Sequence, residues 1–273
     1  MTQRKPRRQL MIIGGAEEKE DHCEILEEFV RRAGGGQARI VVMTVATTMP
    51  EELGKEYEQI FGQLGVKQVS SLTINDRTAA QNEDYAQAIR AASGLFFTGG
   101  SQLRITGLLG GTPVDVALRE RARAGAVIAG TSAGASMMSD TMLITGDSET
   151  NPGVGMVEMS PGMGFLPGVV IDQHFAQRGR IGRLLAAVAQ HPRHLGLGID
   201  ENTALVVEGE QFGVIGAGAV TVVDAAPMTY SNVHESGSNE CLALCDVRLH
   251  ILPSGYRFDL AGRRPLIERE ENR

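Results

Sequence analysis

The fold is decided by residues 126–134, whose sequence is AVIAGTSAG. Four apolar residues predict a short buried strand, and Gly130, Ser132 and Gly134 follow in the pattern G-x-S-x-G. Residues 133–138 then predict a helical segment. A sharp strand-to-helix turn needs glycine on both sides of the serine, because a Cβ atom would clash there. This setting favours a nucleophilic Ser132 over the alternative, a tight turn in a glycine-rich chain.

The segments before this turn alternate between apolar strands and amphipathic helices. Thr112 is a plausible N-cap, and Pro113 follows at the first helical position. Strands are predicted at 10–13, 39–45, 66–72 and 95–97, and helices at 17–32, 50–64, 83–91 and 113–123. Continuous apolar strands separated by helices indicate a parallel sheet covered on both faces.

After Gly198 the pattern changes to short strands joined by turns. They are predicted at 203–207, 213–215, 219–223 and 245–251. Because no helix separates them, we expect an antiparallel extension of the same sheet. The whole chain, residues 1–273, is expected to form a single domain, with residues 1–8 and 264–273 as frayed tails.

Composition is that of a soluble globular enzyme, with 42% hydrophobic and 22% charged residues. A net charge of −7 and the lack of tryptophan argue against a nucleic-acid partner. No apolar run approaches the roughly 20 residues of a membrane span. Cys23, Cys241 and Cys245 suit neither a disulfide framework nor a metal site, so we expect reduced thiols and a cytoplasmic protein.

Among the six histidines, His174 is the best candidate for a base that activates the serine. It follows the apolar run 169–171, so it lies where a strand leaves the core. For a carboxylate that orients the imidazole, Asp200 and Glu201 both close the run 195–199. Their spacing does not decide between them.

Two further segments point to the same edge of the sheet. Thr98-Gly99-Gly100-Ser101-Gln102 follows the strand 95–97 and could supply an oxyanion N–H group. Three arginines, Arg178, Arg180 and Arg183, lie just after His174. They are suited to bidentate capture of carboxylates, although three arginines so close together are also typical of a solvated surface.

The chain resembles the cyanophycinases, serine peptidases that share a superfamily with the aspartyl dipeptidases. The resemblance runs from residue 12 to about residue 251. It rests mainly on GTSAGA (130–135), DQHF (172–175) with its three arginines, and LGIDE (197–201). It implies an α/β fold: a flavodoxin-like three-layer α/β/α sandwich with a mostly parallel sheet, related to the class I glutamine amidotransferases. One departure is Ser101, where an acidic or amide residue is expected.

The same resemblance implies the roles of the site residues. The triad would be Ser132, His174 and Glu201, with the backbone N–H groups of Gly100 and Ala133 as oxyanion hole. The implied substrate-binding residues are Gln102, Asp172, Gln173, Arg178, Arg180 and Arg183. No metal or cofactor is implied.

The implied substrate is cyanophycin, a polyaspartate backbone with arginine on each β-carboxyl, and the implied product is the β-Asp-Arg dipeptide. The alternatives are an aspartyl dipeptidase acting on short Asp-X peptides and a non-catalytic, ligand-binding relative. The sequence leaves the oligomeric state open, with a homodimer as one option.

Overall fold

The structure is a computed structural model that describes residues 8–146, 151–153, 155–237 and 240–267. The described residues form helices α1–α7 and strands β1–β17. The helices are α1 (Glu24–Ala33), α2 (Pro50–Gln63), α3 (Glu83–Ala91), α4 (Gln102–Leu109), α5 (Pro113–Arg123), α6 (Ala133–Ser136) and α7 (Ile181–Gln190). The first nine strands are β1 (Gln9–Ile13), β2 (Arg39–Met43), β3 (Gln68–Leu72), β4 (Gly94–Phe97), β5 (Val127–Thr131), β6 (Thr141–Gly146), β7 (Val157–Pro161), β8 (Val169–Gln173) and β9 (Leu195–Ile199). The others are β10 (Thr203–Glu208), β11 (Gln211–Gly216), β12 (Ala219–Asp224), β13 (Tyr230–Ser231), β14 (Leu244–Cys245), β15 (Arg248–Pro253), β16 (Arg257–Asp259) and β17 (Arg264–Leu266).

A nine-stranded sheet has the order β17-β16-β11-β10-β1-β5-β4-β2-β3. Strands β1, β5, β4, β2 and β3 are parallel neighbours. The other four strands join this parallel half through antiparallel pairs. The predicted parallel sheet is therefore confirmed, and so is its antiparallel extension for β10 and β11.

A second sheet of four strands has the order β15-β12-β9-β8. Strands β8 and β9 are parallel, while β12 lies antiparallel to both β9 and β15. The prediction that residues 219–223 and 245–251 extend the first sheet was wrong. Strand β12 pairs with β9 on one side and with β15 on the other, and the hydrophobic pattern of these segments alone could not select the partner strand.

Both faces of the parallel strands are buried, which explains their uninterrupted apolar sequences. Leu10 and Ile12 pack in one hydrophobic cluster with α3, α4 and α5, while Met11 and Ile13 pack in another with α1 and α2. Successive strand side chains point to opposite faces, so each face needs its own helices. The first cluster also contains core residues of the second sheet, and thus joins the two sheets.

The helix predicted over 17–32 begins only at Glu24, so this prediction was wrong for residues 17–23. Positive φ angles at Ala16 (47°) and His22 (56°) are incompatible with an α-helix there. By contrast, α5 starts as predicted. The Thr112 side chain accepts a hydrogen bond from Asp115 N, and Pro113 occupies the first turn.

The chain from residue 264 was predicted to be frayed, but β17 pairs with β16, so this was wrong for Arg264–Leu266. Residues 1–7 and 268–273 of the predicted tails lie outside the described residues, and the single domain stays a prediction. None of the helices in the described part of the chain combines the length and apolar character needed to cross a membrane. The three cysteines are free thiols, of which Cys23 is buried.

Candidate active site

Ser132 lies in the predicted turn, directly after β5 and directly before α6. Its φ of 52° and ψ of −110° are rare for a residue with a side chain, and indicate a strained turn. The Ser132 N–H donates to Ile13 O of β1 at 3.1 Å. A Cβ atom at Gly130 would lie 2.2 Å from Gly134 O, so the turn does need its flanking glycines.

His174 approaches this serine from the end of β8. Its Nε2 atom is 2.9 Å from Ser132 Oγ. The His174 N–H donates to Gly14 O at 2.8 Å, and its φ is 50°. Since β8 belongs to the four-stranded sheet and β5 to the nine-stranded sheet, the two side chains meet where the two sheets adjoin.

Glu201 completes the arrangement from the end of β9, next to β8. His174 Nδ1 lies 2.7 Å from Glu201 Oε1. The neighbouring Asp200 faces away, and its two oxygens accept from Ala176 N and Ala219 N, each at 3.0 Å. The geometry therefore distinguishes two carboxylates that the spacing left equivalent.

The protonation of His174 follows from these contacts. Glu201 can only accept a hydrogen bond when ionised, so the proton of a neutral imidazole lies on Nδ1. Nε2 is then free to accept the hydroxyl proton of Ser132. Burial lowers the pKa of His174 below its ordinary value, and Arg178 lowers it further, whereas Glu201 raises it. The net downward shift favours the neutral, basic form.

The predicted glycine turn passes beside the serine. A Cβ atom at Gly99 would lie 3.5 Å from Ser132 Cβ. Within the described residues, neither the N–H of Gly100 nor that of Ala133 has a hydrogen-bond acceptor. Among the described residues, both N–H groups are therefore free to donate a hydrogen bond to a bound molecule.

Asp172 and two of the three arginines form a buried ion cluster. Arg183 donates to Asp172 through Nε at 2.7 Å and also through Nη2, while Arg180 Nη1 lies 3.3 Å from Asp172 Oδ1. All three side chains are buried. Removal from water raises the pKa of Asp172 and lowers that of Arg180 to about 10. The Arg180 Nε atom is buried without a hydrogen-bond partner among the described residues.

The other predicted binding residues differ in how they are held. Arg178 is exposed, and its guanidinium contacts no described residue by hydrogen bond or ion pair. Gln102 Nε2 donates to Leu143 O at 2.7 Å, so its amide is tied to β6. Gln173 is buried, and its Oε1 accepts from Arg180 Nη1 at 3.1 Å.

Sequence reasoning assigned no role to two residues beside the triad candidates. A Cβ atom at Gly15 would lie 2.3 Å from His174 Cε1, so this glycine lets the imidazole approach β1. Gln177 Oε1 accepts from Glu201 N at 3.0 Å. The glycine pair after β1 could have indicated a role for Gly15 from the sequence alone, because the pair ends a strand at the same sheet edge as Ser132. Across the described ranges, no group of three His, Cys, Asp or Glu side chains is arranged to hold a metal ion.

Comparison with known sequences places this chain among peptidases. The profile of Peptidase family S51 matches residues 10–215. A cyanophycinase of Trichormus variabilis is 43% identical over 256 residues, which are 93% of this chain and 86% of the relative. A cyanophycinase of Geminocystis herdmanii is 40% identical over 262 residues, 95% of this chain and 96% of the relative.

Two solved structures share the fold at low sequence identity. A peptidase from an acI-B1 Actinobacterium superposes with a TM-score of 0.67 at 19% identity, covering 93% of this chain and 98% of its own. A putative peptidase E protein from Listeria monocytogenes superposes with a TM-score of 0.54 at 15% identity, covering 77% of this chain and 99% of its own. Both similarities concern the α/β fold.

Proposed function

The chain belongs to Peptidase family S51, and we propose that it hydrolyses cyanophycin to β-Asp-Arg dipeptides through an acyl-enzyme on Ser132. The observation that carries the proposal is the hydrogen-bonded chain from Ser132 Oγ through His174 to Glu201. The substrate is proposed because the matching relatives at 40–43% identity are cyanophycinases.

In the proposed mechanism, Ser132 Oγ attacks the backbone carbonyl carbon while His174 Nε2 takes its proton. Glu201 stabilises the imidazolium through Nδ1–H, and the N–H groups of Gly100 and Ala133 stabilise the oxyanion. His174 then protonates the leaving amine, which leaves the acyl group on Ser132. Water, deprotonated by His174, hydrolyses this ester and regenerates the serine.

The proposed binding groups suit a polymer that carries both signs of charge. Each cyanophycin unit presents the free carboxylate of its arginine, and the exposed guanidinium of Arg178 can bind it in a bidentate fashion. Arg180 retains an unpartnered Nε atom. We assign Arg183, Asp172, Gln102 and Gln173 to the same substrate-binding region. Asp172 and Arg183 bind mainly to each other there.

The finer features of the fold and setting are also proposals. Helices on both faces of the parallel strands support a flavodoxin-like three-layer sandwich, related to class I glutamine amidotransferases with serine in place of cysteine. Free thiols suit a reducing compartment such as the cytoplasm. The net charge of −7 gives no reason to expect a nucleic-acid partner, and a homodimer remains one option.

The test is digestion of purified cyanophycin followed by mass analysis of the products. We expect β-Asp-Arg from the wild-type protein and a loss of about 10⁶-fold in turnover for Ser132→Ala. Cleavage of short Asp-X peptides without cleavage of the polymer would contradict the substrate. Activity of Ser132→Ala within about tenfold of wild type would contradict the nucleophile.

A further inference from the structure

The turn after β1, residues 14–18, contacts the surroundings of all three proposed triad members. Gly14 O accepts from His174 N at 2.8 Å, next to the bond from Ser132 N to Ile13 O. Gly15 O accepts from Asn202 N at 2.9 Å, and Asn202 directly follows Glu201. The Asn202 side chain also accepts from the backbone N–H of residue 18 at 2.9 Å. This turn, which we call the β1 turn, is therefore a common support for the site.

Within the β1 turn, Glu17 extends its carboxylate into the interior. The residue is only 5% exposed. Its Oε2 accepts from Thr131 Oγ1 at 2.5 Å, and its Oε1 accepts from the Tyr57 hydroxyl of α2. Burial and the charge of Glu17 raise the pKa of Tyr57 well above its ordinary value, so this hydroxyl keeps its proton and donates.

The carboxylate has no ion-pair partner among the described residues. Lys19, the nearest cation along the chain, pairs with Glu56 instead. A buried carboxylate without a counterion stabilises a fold less than an apolar side chain of similar size would. The role of Glu17 therefore follows from its position beside the Ser132 turn rather than from a contribution to the stability of the fold. One of its two donors, Thr131, directly precedes the strained Ser132.

We propose that Glu17 is a positioning residue that holds the Ser132 turn in its strained conformation through Thr131. The inference rests on the proposed role of Ser132 as nucleophile. Thr131 is the last residue of β5, and its hydroxyl connects the β1 turn to the strand end that carries the serine. The Tyr57 hydroxyl binds the same carboxylate from the side of α2.

Comparison of Thr131→Val with Tyr57→Phe distinguishes a positioning role of Glu17 from a purely stabilising one. Each substitution removes one hydroxyl from the same carboxylate and leaves one buried oxygen unpartnered, so both should lower the unfolding temperature by similar amounts. The positioning role predicts a kcat about 10- to 100-fold lower for Thr131→Val with KM little changed. For Tyr57→Phe, kcat should stay within about threefold of wild type, because the Glu17–Thr131 bond remains.

Three further variants and one reagent complete the experiment. Thr131→Ser keeps the hydroxyl and should restore most of kcat. Glu17→Leu, which removes both acceptor oxygens, should lower kcat in the same direction as Thr131→Val, while Glu20→Leu, at an exposed carboxylate three residues later, should not. A fluorophosphonate that labels Ser132 should react more slowly with Thr131→Val and Glu17→Leu, since the nucleophile itself is displaced.

Equal kcat losses for Thr131→Val and Tyr57→Phe, or wild-type labelling rates in Glu17→Leu, would overturn the inference. The Glu17→Leu outcome decides the question even if Thr131→Val fails to fold. Failure of the proposed role of Ser132 as nucleophile has a different signature, because the reagent would then not label Ser132 in the wild-type protein.

Discussion

The imidazole of His174 lies between two oxygen atoms, 2.9 Å from Ser132 Oγ and 2.7 Å from Glu201 Oε1. Asp200 is one residue away along the chain, yet both its oxygens accept backbone N–H groups. The two neighbouring carboxylates thus contact different groups. Glu201 contacts the imidazole, and Asp200 connects the loop after His174 to β12.

This division predicts different effects of amide substitutions. Glu201→Gln should lower kcat by about 10⁴-fold, because an amide can donate to Nδ1 and so favour the wrong tautomer. Asp200→Asn should destabilise the fold by about 1–3 kcal/mol but keep most of kcat, since it affects a backbone clamp. Steady-state kinetics and thermal unfolding of both variants check this. A larger kcat loss for Asp200→Asn than for Glu201→Gln would show that Asp200, and not Glu201, orients His174.

The pH dependence of activity should respond to Arg178. Burial lowers the pKa of His174, and the positive charge of Arg178 lowers it further. The acid limb of kcat/KM should therefore lie below the ordinary histidine value of about 6.5. Arg178→Ala removes a charge that disfavours the imidazolium, so the limb should move to higher pH. Arg178→Lys keeps the charge and should leave the limb in place.

A small neutral ester is the suitable substrate for this measurement, because it separates the titration of His174 from the capture of substrate carboxylates. A limb that moves to lower pH in Arg178→Ala would contradict the electrostatic role of this arginine.

At the scale of elements, the site is assembled from the ends of strands. Strand β5 carries Ser132, β8 carries His174 and β9 carries Glu201, while β1 ends in the turn that contacts each of these segments. At this edge of the strands, the backbone of one segment must closely approach the side chains of another. Gly15 is the clearest case, because the imidazole occupies the space where a Cβ atom would be.

Gly15→Ala should therefore lower kcat by about 100-fold or more, since the Cβ atom displaces the ring of His174. Gly65→Ala is the matched control. Gly65 has a similar positive φ, 86° against 101°, but a Cβ atom added there would have no neighbour within 4 Å. Both variants carry backbone strain, and only Gly15→Ala should lose activity. Equal activity in the two variants would show that the imidazole can move without cost.

At the scale of the whole molecule, one hydrophobic cluster extends from the helices α3–α5 to the C-terminal strands. Phe258 of β16 is fully buried and stacks on Phe212 of β11, with ring centroids 5.4 Å apart. The same cluster includes Leu10 of β1 and Leu197 of β9. We therefore expect the antiparallel strands and the parallel half to unfold together.

Phe258→Ala should destabilise the protein by about 3–5 kcal/mol and leave a single unfolding transition. Tyr256→Ala, at an exposed aromatic residue two positions earlier, should change stability by less than about 0.5 kcal/mol. Calorimetry measures both. Two separate transitions in Phe258→Ala, with the first confined to the C-terminal strands, would show that these strands form an independent unit.

Local patterns in the sequence were sufficient to predict the parallel strands, most helices, the N-cap at Thr112 and the strained turn at Ser132. These features depend on residues that are close along the chain: apolar runs, a capping hydroxyl and glycines on both sides of a serine. His174 could also be identified as the candidate base from the sequence, because it follows an apolar run at a strand end.

Only the tertiary structure decided which strands pair and which partner each polar side chain takes. The second sheet, the orientation of Glu201 rather than Asp200 toward His174, and the burial of Asp172 against Arg183 all depend on long-range contacts. Glu17 is the sharpest example, since the sequence placed it in a helix while the fold buries it in a turn against Thr131. A local sequence pattern indicates which secondary structure and which interactions a residue can form, whereas the packing of distant segments determines which groups it contacts.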